Sequence, residues 1–271
     1  MNFFSVIMPV YAGDNLEYFK KATSSILNQT LKPDEIVIVV DGPIPNTHKL
    51  FLNELSENSI INVIFNAKNC GSGVSRDIGI KNCKNEIIAL MDSDDISVPN
   101  RFEKQLNYLV NNNVDIIGGW IEEFTEIPGD INSIRKVPSS HNEIYEYGKW
   151  RMPVNNVTLM FKKKAYFEVG GYPKQRRVED WSLIAKMILN NNIFYNFPEI
   201  LVYARAGKKY FSRRRKFNHF FYDLKIFLFM YKRGYINFLI MMINIIIRIV
   251  LKVLPQFITR IIYNNILREK N

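Results

Sequence analysis

A parallel α/β sheet covered on both faces is the fold class predicted by three features of the first hundred residues. Short apolar runs recur at Ser5–Val10, Glu35–Val40, Ile60–Phe65 and Glu86–Met91. They are continuous rather than alternating, as expected of strands buried on both faces. Segments of helical spacing lie between them, and turn-forming residues stand where the strands stop.

The elements follow in order. Ser5–Val10 opens as a buried strand and runs into a loop at Tyr11–Asn15, followed by helical spacing at Leu16, Phe19, Ala22, Ile26 and Leu27. Pro33 breaks the chain, and Glu35–Val40 is a second strand that stops at the turn Asp41-Gly42-Pro43. A helix to about Glu57 and a strand at Ile60–Phe65 come next. The loop Asn69-Cys70-Gly71-Ser72-Gly73 leads into a helix through about Asn82, and Glu86–Met91 is the fourth strand. Ser97 or Asn100 can cap a helix reaching Val110, and Asp115–Trp120 reads as another strand. Ile121–Lys149 mixes acids with turns and has no clear period. Val157–Phe161 reads as a strand, Gly170-Gly171-Tyr172-Pro173 as a turn, and Glu179-Asp180 as the start of a helix with Leu183, Ile184, Met187 and Ile188 on its apolar face.

The fourth strand ends in Asp92-Ser93-Asp94-Asp95. Three carboxylates in four residues repel one another unless a cation or a hydrogen-bond network neutralises them. Mg2+ uses one or two carboxylates and completes its shell with water and substrate phosphates. In open α/β sheets ligands bind beyond the carboxyl ends of the strands. The run therefore predicts a metal–diphosphate site. The Gly and distal Glu of a calcium-binding EF-hand loop are missing.

Charge is unevenly distributed. Residues 201–271 hold fifteen Lys/Arg and two acids, a net +13, whereas residues 1–200 carry −3. A slightly acidic body joined to a basic tail implies an anionic partner for the tail. Cys70 and Cys83 make neither a disulfide framework nor a zinc site and are expected as buried thiols. His48, His141 and His219 are scattered without metal-ligand spacing. The start carries no secretory signature, which predicts a cytoplasmic protein.

Six segments in order carry a family resemblance: Ser5-Val-Ile-Met-Pro-Val-Tyr11, Ser25-Ile-Leu-Asn-Gln-Thr30, Val40-Asp41-Gly42, Met91-Asp-Ser-Asp-Asp95, Pro99-Asn-Arg-Phe-Glu-Lys-Gln105 and Glu179-Asp180-Trp181. Together they resemble the family 2 glycosyltransferases of GT-A fold, in particular the bacterial enzymes of capsule, exopolysaccharide and lipopolysaccharide assembly. The resemblance implies an inverting, metal-dependent transfer of one sugar from a nucleotide diphosphate, UDP-linked by family habit, to a glycan or polyprenyl-linked glycan. By position it implies Pro9, Tyr11 and Asp41 at the nucleotide base, Arg76 at the diphosphate, and Asp92 near the ribose or metal. It further implies Asp94 as main ligand of Mn2+ or Mg2+, Asp180 as catalytic base, and Glu179 and Trp181 as support or acceptor contacts. Asp95 is expected to be structural, as a helix cap. Each has a plainer reading: a turn former at Asp41, a solvated helix residue at Arg76, a helix cap at Asp180. The family pattern breaks near Arg151–Thr158, where Asn156 and Val157 replace His and Pro. The Gln-x-x-Arg-Trp motif of processive members is absent after Trp181, which favours single additions.

The resemblance covers residues 1–205 as a GT-A catalytic domain and leaves 206–271 as a basic amphipathic helical tail. Arg213-Arg214-Arg215-Lys216 adjoins aromatic and apolar segments, which predicts peripheral attachment to the inner face of the cytoplasmic membrane. Tyr235–Ile247 is apolar except for Asn237 and Asn244, which with Arg248 and Lys252 form one polar stripe. Thirteen residues are short for a span, so the helix either lies on a membrane or packs on the core. Two other readings remain: a sugar-nucleotide pyrophosphorylase, disfavoured by the poor phosphate loop Tyr11-Ala-Gly-Asp-Asn, and a non-catalytic membrane or nucleic-acid binder, which leaves the acids unexplained and shows no nucleic-acid motif.

Overall fold

A computed structural model describes residues 3–173, 179–206 and 218–254. Four parallel strands, β1 (Phe4–Val10), β2 (Glu35–Asp41), β3 (Ile61–Asn66) and β4 (Ile87–Leu90), alternate with helices α1 (Leu16–Leu27), α2 (Asn46–Ser56) and α3 (Ser72–Asn82). They match the predicted runs to within a residue or two. The second half adds β5 (Ile96–Ser97), α4 (Arg101–Asn111), β6 (Ile116–Phe124), β7 (Ser133–Arg135) and α5 (His141–Gly148). After these come β8 (Met160–Lys162), α6 (Lys163–Glu168), α7 (Glu179–Leu189), β9 (Phe194–Arg205), α8 (Asn218–Lys232) and α9 (Phe238–Val253). The sheet order is β3-β2-β1-β4-β8-β6-β9-β5, with β7 on β6. The pairs β4–β8 and β6–β8 are antiparallel, so the sheet is parallel on its first side and mixed on the other.

Side chains alternate across the sheet, as the two-residue strand period requires. Ile7, Val37, Val39, Ile88 and Leu90 face a core shared with α7, α8 and α9. Val6, Met8, Ile36, Ile38 and Ala89 face a second core shared with α1, α2 and α4. Ile226, Phe227, Met230, Tyr235, Ile236 and Met241 belong to the first of these cores, so the described part of the tail is packed against the catalytic body.

Three expectations need correction. The segment 157–161 is not one strand: a 3-10 turn at Asn156–Thr158 precedes the short β8. Thr158 Oγ1 donates to the Asn155 carbonyl at 2.7 Å and Asn155 Nδ2 to the Gly119 carbonyl at 2.8 Å, so side chains replace ladder bonds there. Ser97 does not begin the next helix but pairs with Val202 in the sheet. Asp95 does not cap that helix, whose N-cap is Asn100; its carboxylate instead accepts the Arg205 N–H at 2.7 Å. The twelve residues of β9 escaped notice because Pro198 and Glu199 interrupt the pattern, and the register with β6 shifts at that point.

Two of the motifs are scaffolding. Gln29 at the end of α1 donates to the Val98 carbonyl at 2.7 Å and accepts the Phe102 N–H at 3.2 Å, fixing where α4 starts. Arg101 is wholly buried, donating to the Leu90 carbonyl at 2.8 Å and to Gln105 Oε1 at 2.9 Å. Gln105 in turn donates to the Thr158 carbonyl at 2.7 Å. This chain ties the end of β4 to the turn at 156–158. Burial lowers the Arg101 guanidinium to about 9, against the pull of Asp95 and Asp92. The cluster Arg213–Lys216 and the predicted last helix beyond Pro255 lie outside the described residues.

Candidate active site

The cleft opens where β1, β2 and β4 end. Ile7 passes its carbonyl to the Met91 N–H at 3.0 Å. Pro9, two residues on, faces the same side but lies past the last β1–β4 pair, Ile7↔Leu90. Its missing N–H therefore costs no ladder bond, and a proline is tolerated in a central strand. The chain then turns through Tyr11, whose exposed ring lies over Gly13: a Cβ there would sit 2.5 Å from the ring. Asp14 holds this turn, its carboxylate accepting the Tyr11 N–H at 3.0 Å and the Ser93 hydroxyl at 2.7 Å. Asp14 thus binds the first loop to the acidic loop, a role nothing in the sequence reading suggested.

Asp41 is buried at the end of β2. Its two carboxylate oxygens accept the N–H groups of Cys70 at 2.7 Å and Gly71 at 2.8 Å. This anchors the glycine loop that begins α3, where Gly71 has φ +94°. Cys70 is half-buried rather than buried, while Cys83 is buried, and burial pushes its thiol up to about 12.

Arg76 projects from α3 as the centre of the site. It is buried, not solvated on a helix face. One terminal nitrogen donates to Asp92 Oδ1 at 2.5 Å and the other to Asp180 Oδ1 at 3.2 Å. One guanidinium therefore joins an acid after β4 to an acid on α7 that lies 104 residues along the chain from Arg76. Burial works against its charge, but Asp92 and Asp180 outweigh that and hold it firmly protonated. Asp180 keeps 38% of its side chain exposed, so it faces the cleft mouth as well as Arg76. Burial pushes its carboxyl up to about 6; Arg76 opposes this, and Glu179 and Asp92 add to it. Glu179 points elsewhere, packing on Gly73 and accepting the Ser72 hydroxyl at 3.4 Å at the start of α3. Trp181 packs edge-on against Phe227 of α8, with ring centroids 5.5 Å apart.

The acidic loop is crowded. Burial, Asp92 and Asp14 push the Asp94 carboxyl up to about 6, with Arg205 pulling the other way. Arg205 closes the loop from β9: its Nε donates to the Asp94 carbonyl at 3.1 Å, and its guanidinium lies 3.6 Å from the Tyr18 ring centroid. Asp95 is raised further by burial and by Asp94 and Asp92. Among the described residues no three acids, histidines or thiols converge on a metal position. Asp94 and Asp92 nevertheless fit a divalent cation of the kind that takes few protein ligands and fills its shell with phosphate and water. Such a cation would relieve the like-charge crowding that raises Asp94. Asp14 and Arg205 were invisible in the sequence, because a single charged residue in a loop or at a strand end has no diagnostic spacing.

Comparisons with known proteins agree with this architecture. The model of "Glycosyl transferase family 2" matches residues 5–170. The chain is 34% identical over 98% of its length to an Escherichia coli UDP-Gal:alpha-D-GlcNAc-diphosphoundecaprenol beta-1,3-galactosyltransferase, spanning 97% of that enzyme. It is 28% identical to the amylovoran biosynthesis glycosyltransferase AmsE of Erwinia amylovora, over 83% of this chain and 84% of the other. Among solved structures, the mannosyltransferase PcManGT of Pyrobaculum calidifontis, in complex with GDP-Man and Mn2+, superposes with TM-score 0.64 at 15% identity. S. aureus TarS 1-349 in complex with UDP-GlcNAc does so with TM-score 0.59 at 20% identity. The chain covers 64% of each, and 84% and 79% of its own length is matched. These structures show the shared GT-A fold.

Proposed function

The chain belongs to glycosyl transferase family 2 and is a glycosyltransferase, and from that premise we propose that it inverts an anomeric centre while moving one sugar from a UDP-linked donor to a polyprenyl-diphosphate-linked glycan in surface polysaccharide assembly. The observation that carries this reading is Arg76, which brings Asp92 and Asp180 onto one guanidinium. It supports a cleft with a donor side at Asp92 and Asp94 and an acceptor side at Asp180.

In this mechanism Pro9, Tyr11 and Asp41 border the nucleotide base, and Arg76 faces the diphosphate. Asp94, with Asp92, would hold Mn2+ or Mg2+, which when bound neutralises charge on the departing diphosphate. Asp180 accepts the proton of the acceptor hydroxyl as its oxygen bonds to the anomeric carbon. The bond from that carbon to the diphosphate breaks on the opposite face, and UDP leaves. Inversion follows from these opposed directions. The E. coli relative, named for a UDP-Gal donor, a diphosphoundecaprenol acceptor and a β linkage, supports the donor and acceptor classes.

The test is release of UDP or GDP from a panel of nucleotide sugars with Mn2+, beginning with UDP-Gal and a GlcNAc-diphospholipid acceptor. The expected result is UDP release that needs the cation and is accelerated by the acceptor. Release of no nucleotide from any donor overturns the reading.

A cytoplasmic membrane surface is the proposed place of action, and the packing of α9 supports it. Its polar stripe faces the protein: Asn244 Nδ2 donates to the Lys149 carbonyl at 3.1 Å, and Arg248 reaches the Trp150 carbonyl at 3.4 Å. Its outer face is apolar, with Leu239 66% and Ile246 54% exposed beside Phe238, Met242, Ile243 and Val250. Water is an unfavourable medium for such a face, and the basic tail supplies attraction to anionic headgroups. Among the described residues no helix is long and apolar enough to cross a membrane. Paired Leu239→Glu and Ile246→Glu changes should lower co-sedimentation with anionic vesicles by roughly tenfold or more. Unchanged co-sedimentation would refute the assignment.

A further inference from the structure

Several buried polar atoms beside Asp180 have no hydrogen-bond partner among the described residues. They include the Tyr172 hydroxyl, both ends of the Asn156 amide, Nε of Arg76 and Oε2 of Glu179. Tyr172 is 7% exposed and enters the site from the turn after α6. Its backbone is fixed, the N–H donating to the Tyr166 hydroxyl at 3.0 Å, and Tyr166 donates in turn to Asp77 at 2.7 Å. Its hydroxyl lies next to the Asn156 amide and within the fields of Arg76, Asp180 and Asp92. Asn156 is held by its neighbours: Asn155 and Thr158 anchor the turn on either side of it. The Tyr172 hydroxyl and the Asn156 amide thus meet beside Arg76 and Asp180, and among the described residues neither makes a well-formed hydrogen bond to any other group. Burying an amide or hydroxyl unsatisfied is costly, and native structures keep such groups where a ligand or water completes them.

We propose that Tyr172 and Asn156 form a hydrogen-bonding subsite for a hydroxyl of a bound sugar, directly beside Asp180. The pair offers both donors and acceptors. A sugar hydroxyl both donates and accepts and matches that pair, whereas a phosphate only accepts. Neither residue carries charge, so the subsite selects by hydroxyl position. The inference rests on the transferase reading and adds to it a pair of residues that discriminate among sugars.

The test uses the full chain with Tyr172→Phe and Asn156→Ala, measured with a UDP-sugar, Mn2+ and a lipid-linked acceptor. Each variant should raise one KM by roughly three- to tenfold, the worth of a neutral hydrogen bond. A higher donor KM in acceptor-free hydrolysis assigns the hydroxyl to the donor sugar. A higher acceptor KM at saturating donor assigns it to the acceptor. Affinity for UDP alone, which lacks the transferred sugar, should not change. Tm should hold or rise in Tyr172→Phe, because among the described residues the lost hydroxyl makes no well-formed hydrogen bond. Unchanged KM values in an active wild-type background overturn the subsite while the transferase reading stands. A lower Tm with unchanged KM values assigns the pair to packing and also overturns it. A wild-type chain that releases no nucleotide removes the transferase reading, and the subsite with it.

Discussion

Asp180→Asn should reduce kcat for sugar transfer by about 10^2- to 10^4-fold, the range a positioned general base contributes, while UDP still binds. Asparagine keeps the shape of the side chain and an oxygen for Arg76, so the bridge of Arg76 between Asp92 and residue 180 survives. It cannot take a proton. The donor side, built on Asp92 and Asp94, is untouched, so KM for the donor should move little. The pH profile gives a second readout. The base works ionised, and its carboxyl is pushed up to about 6. At saturating Mn2+, kcat/KM should be level above about pH 6 and fall tenfold per unit below it. The variant should lose that limb. Glu179→Gln should have a much smaller effect, because Glu179 turns to the start of α3. Transfer by Asp180→Asn within tenfold of wild type would remove Asp180 as base.

The parallel half of the fold was legible because each strand is a local apolar run with a turn residue at its end. The mixed half was not. Around Thr158 and Asn196, side chains bond backbone carbonyls in place of regular ladders, as when Asn196 Nδ2 donates to the Pro138 carbonyl at 2.7 Å. Such bonds leave no periodic trace. The acids of the site could be named because they cluster or sit at a helix start. Their joint use of Arg76 could not, since an arginine on a short helix reads equally well as solvated. The tail shows the limit most clearly. The stripe of Asn237, Asn244 and Arg248 is plain in the sequence, but its spacing alone does not say which face turns inward. The structure docks Asn244 and Arg248 on carbonyls of residues 149 and 150, uses Asn237 to cap the start of α9, and leaves the apolar side outside. Which way the helix turns depends on carbonyl acceptors contributed by a distant segment.

Asp94→Ala carries the second large effect, and here activity and stability should move in opposite directions. Without Asp94 the proposed cation loses its main protein ligand, so Mn2+-dependent UDP release should fall by roughly 10^2- to 10^4-fold, the several kcal/mol a metal supplies to a departing diphosphate. Raising Mn2+ should recover part of this if Asp92 still contributes a ligand. Stability responds to a different interaction. Burial and the charges of Asp92 and Asp14 oppose ionisation of Asp94, and Arg205 only partly offsets them. Removing the carboxylate relieves that repulsion, so in metal-free buffer at pH 8 the variant should melt a few degrees above wild type. Addition of Mn2+ with UDP should raise the Tm of wild type, since a ligand that binds only the folded state stabilises it, and should leave that of the variant nearly unchanged. A purely structural Asp94 predicts the reverse pattern: a lower Tm in metal-free buffer and an unaltered response to Mn2+. Scanning calorimetry of the two proteins, with and without the cation, decides between a ligand and a loop brace independently of any acceptor.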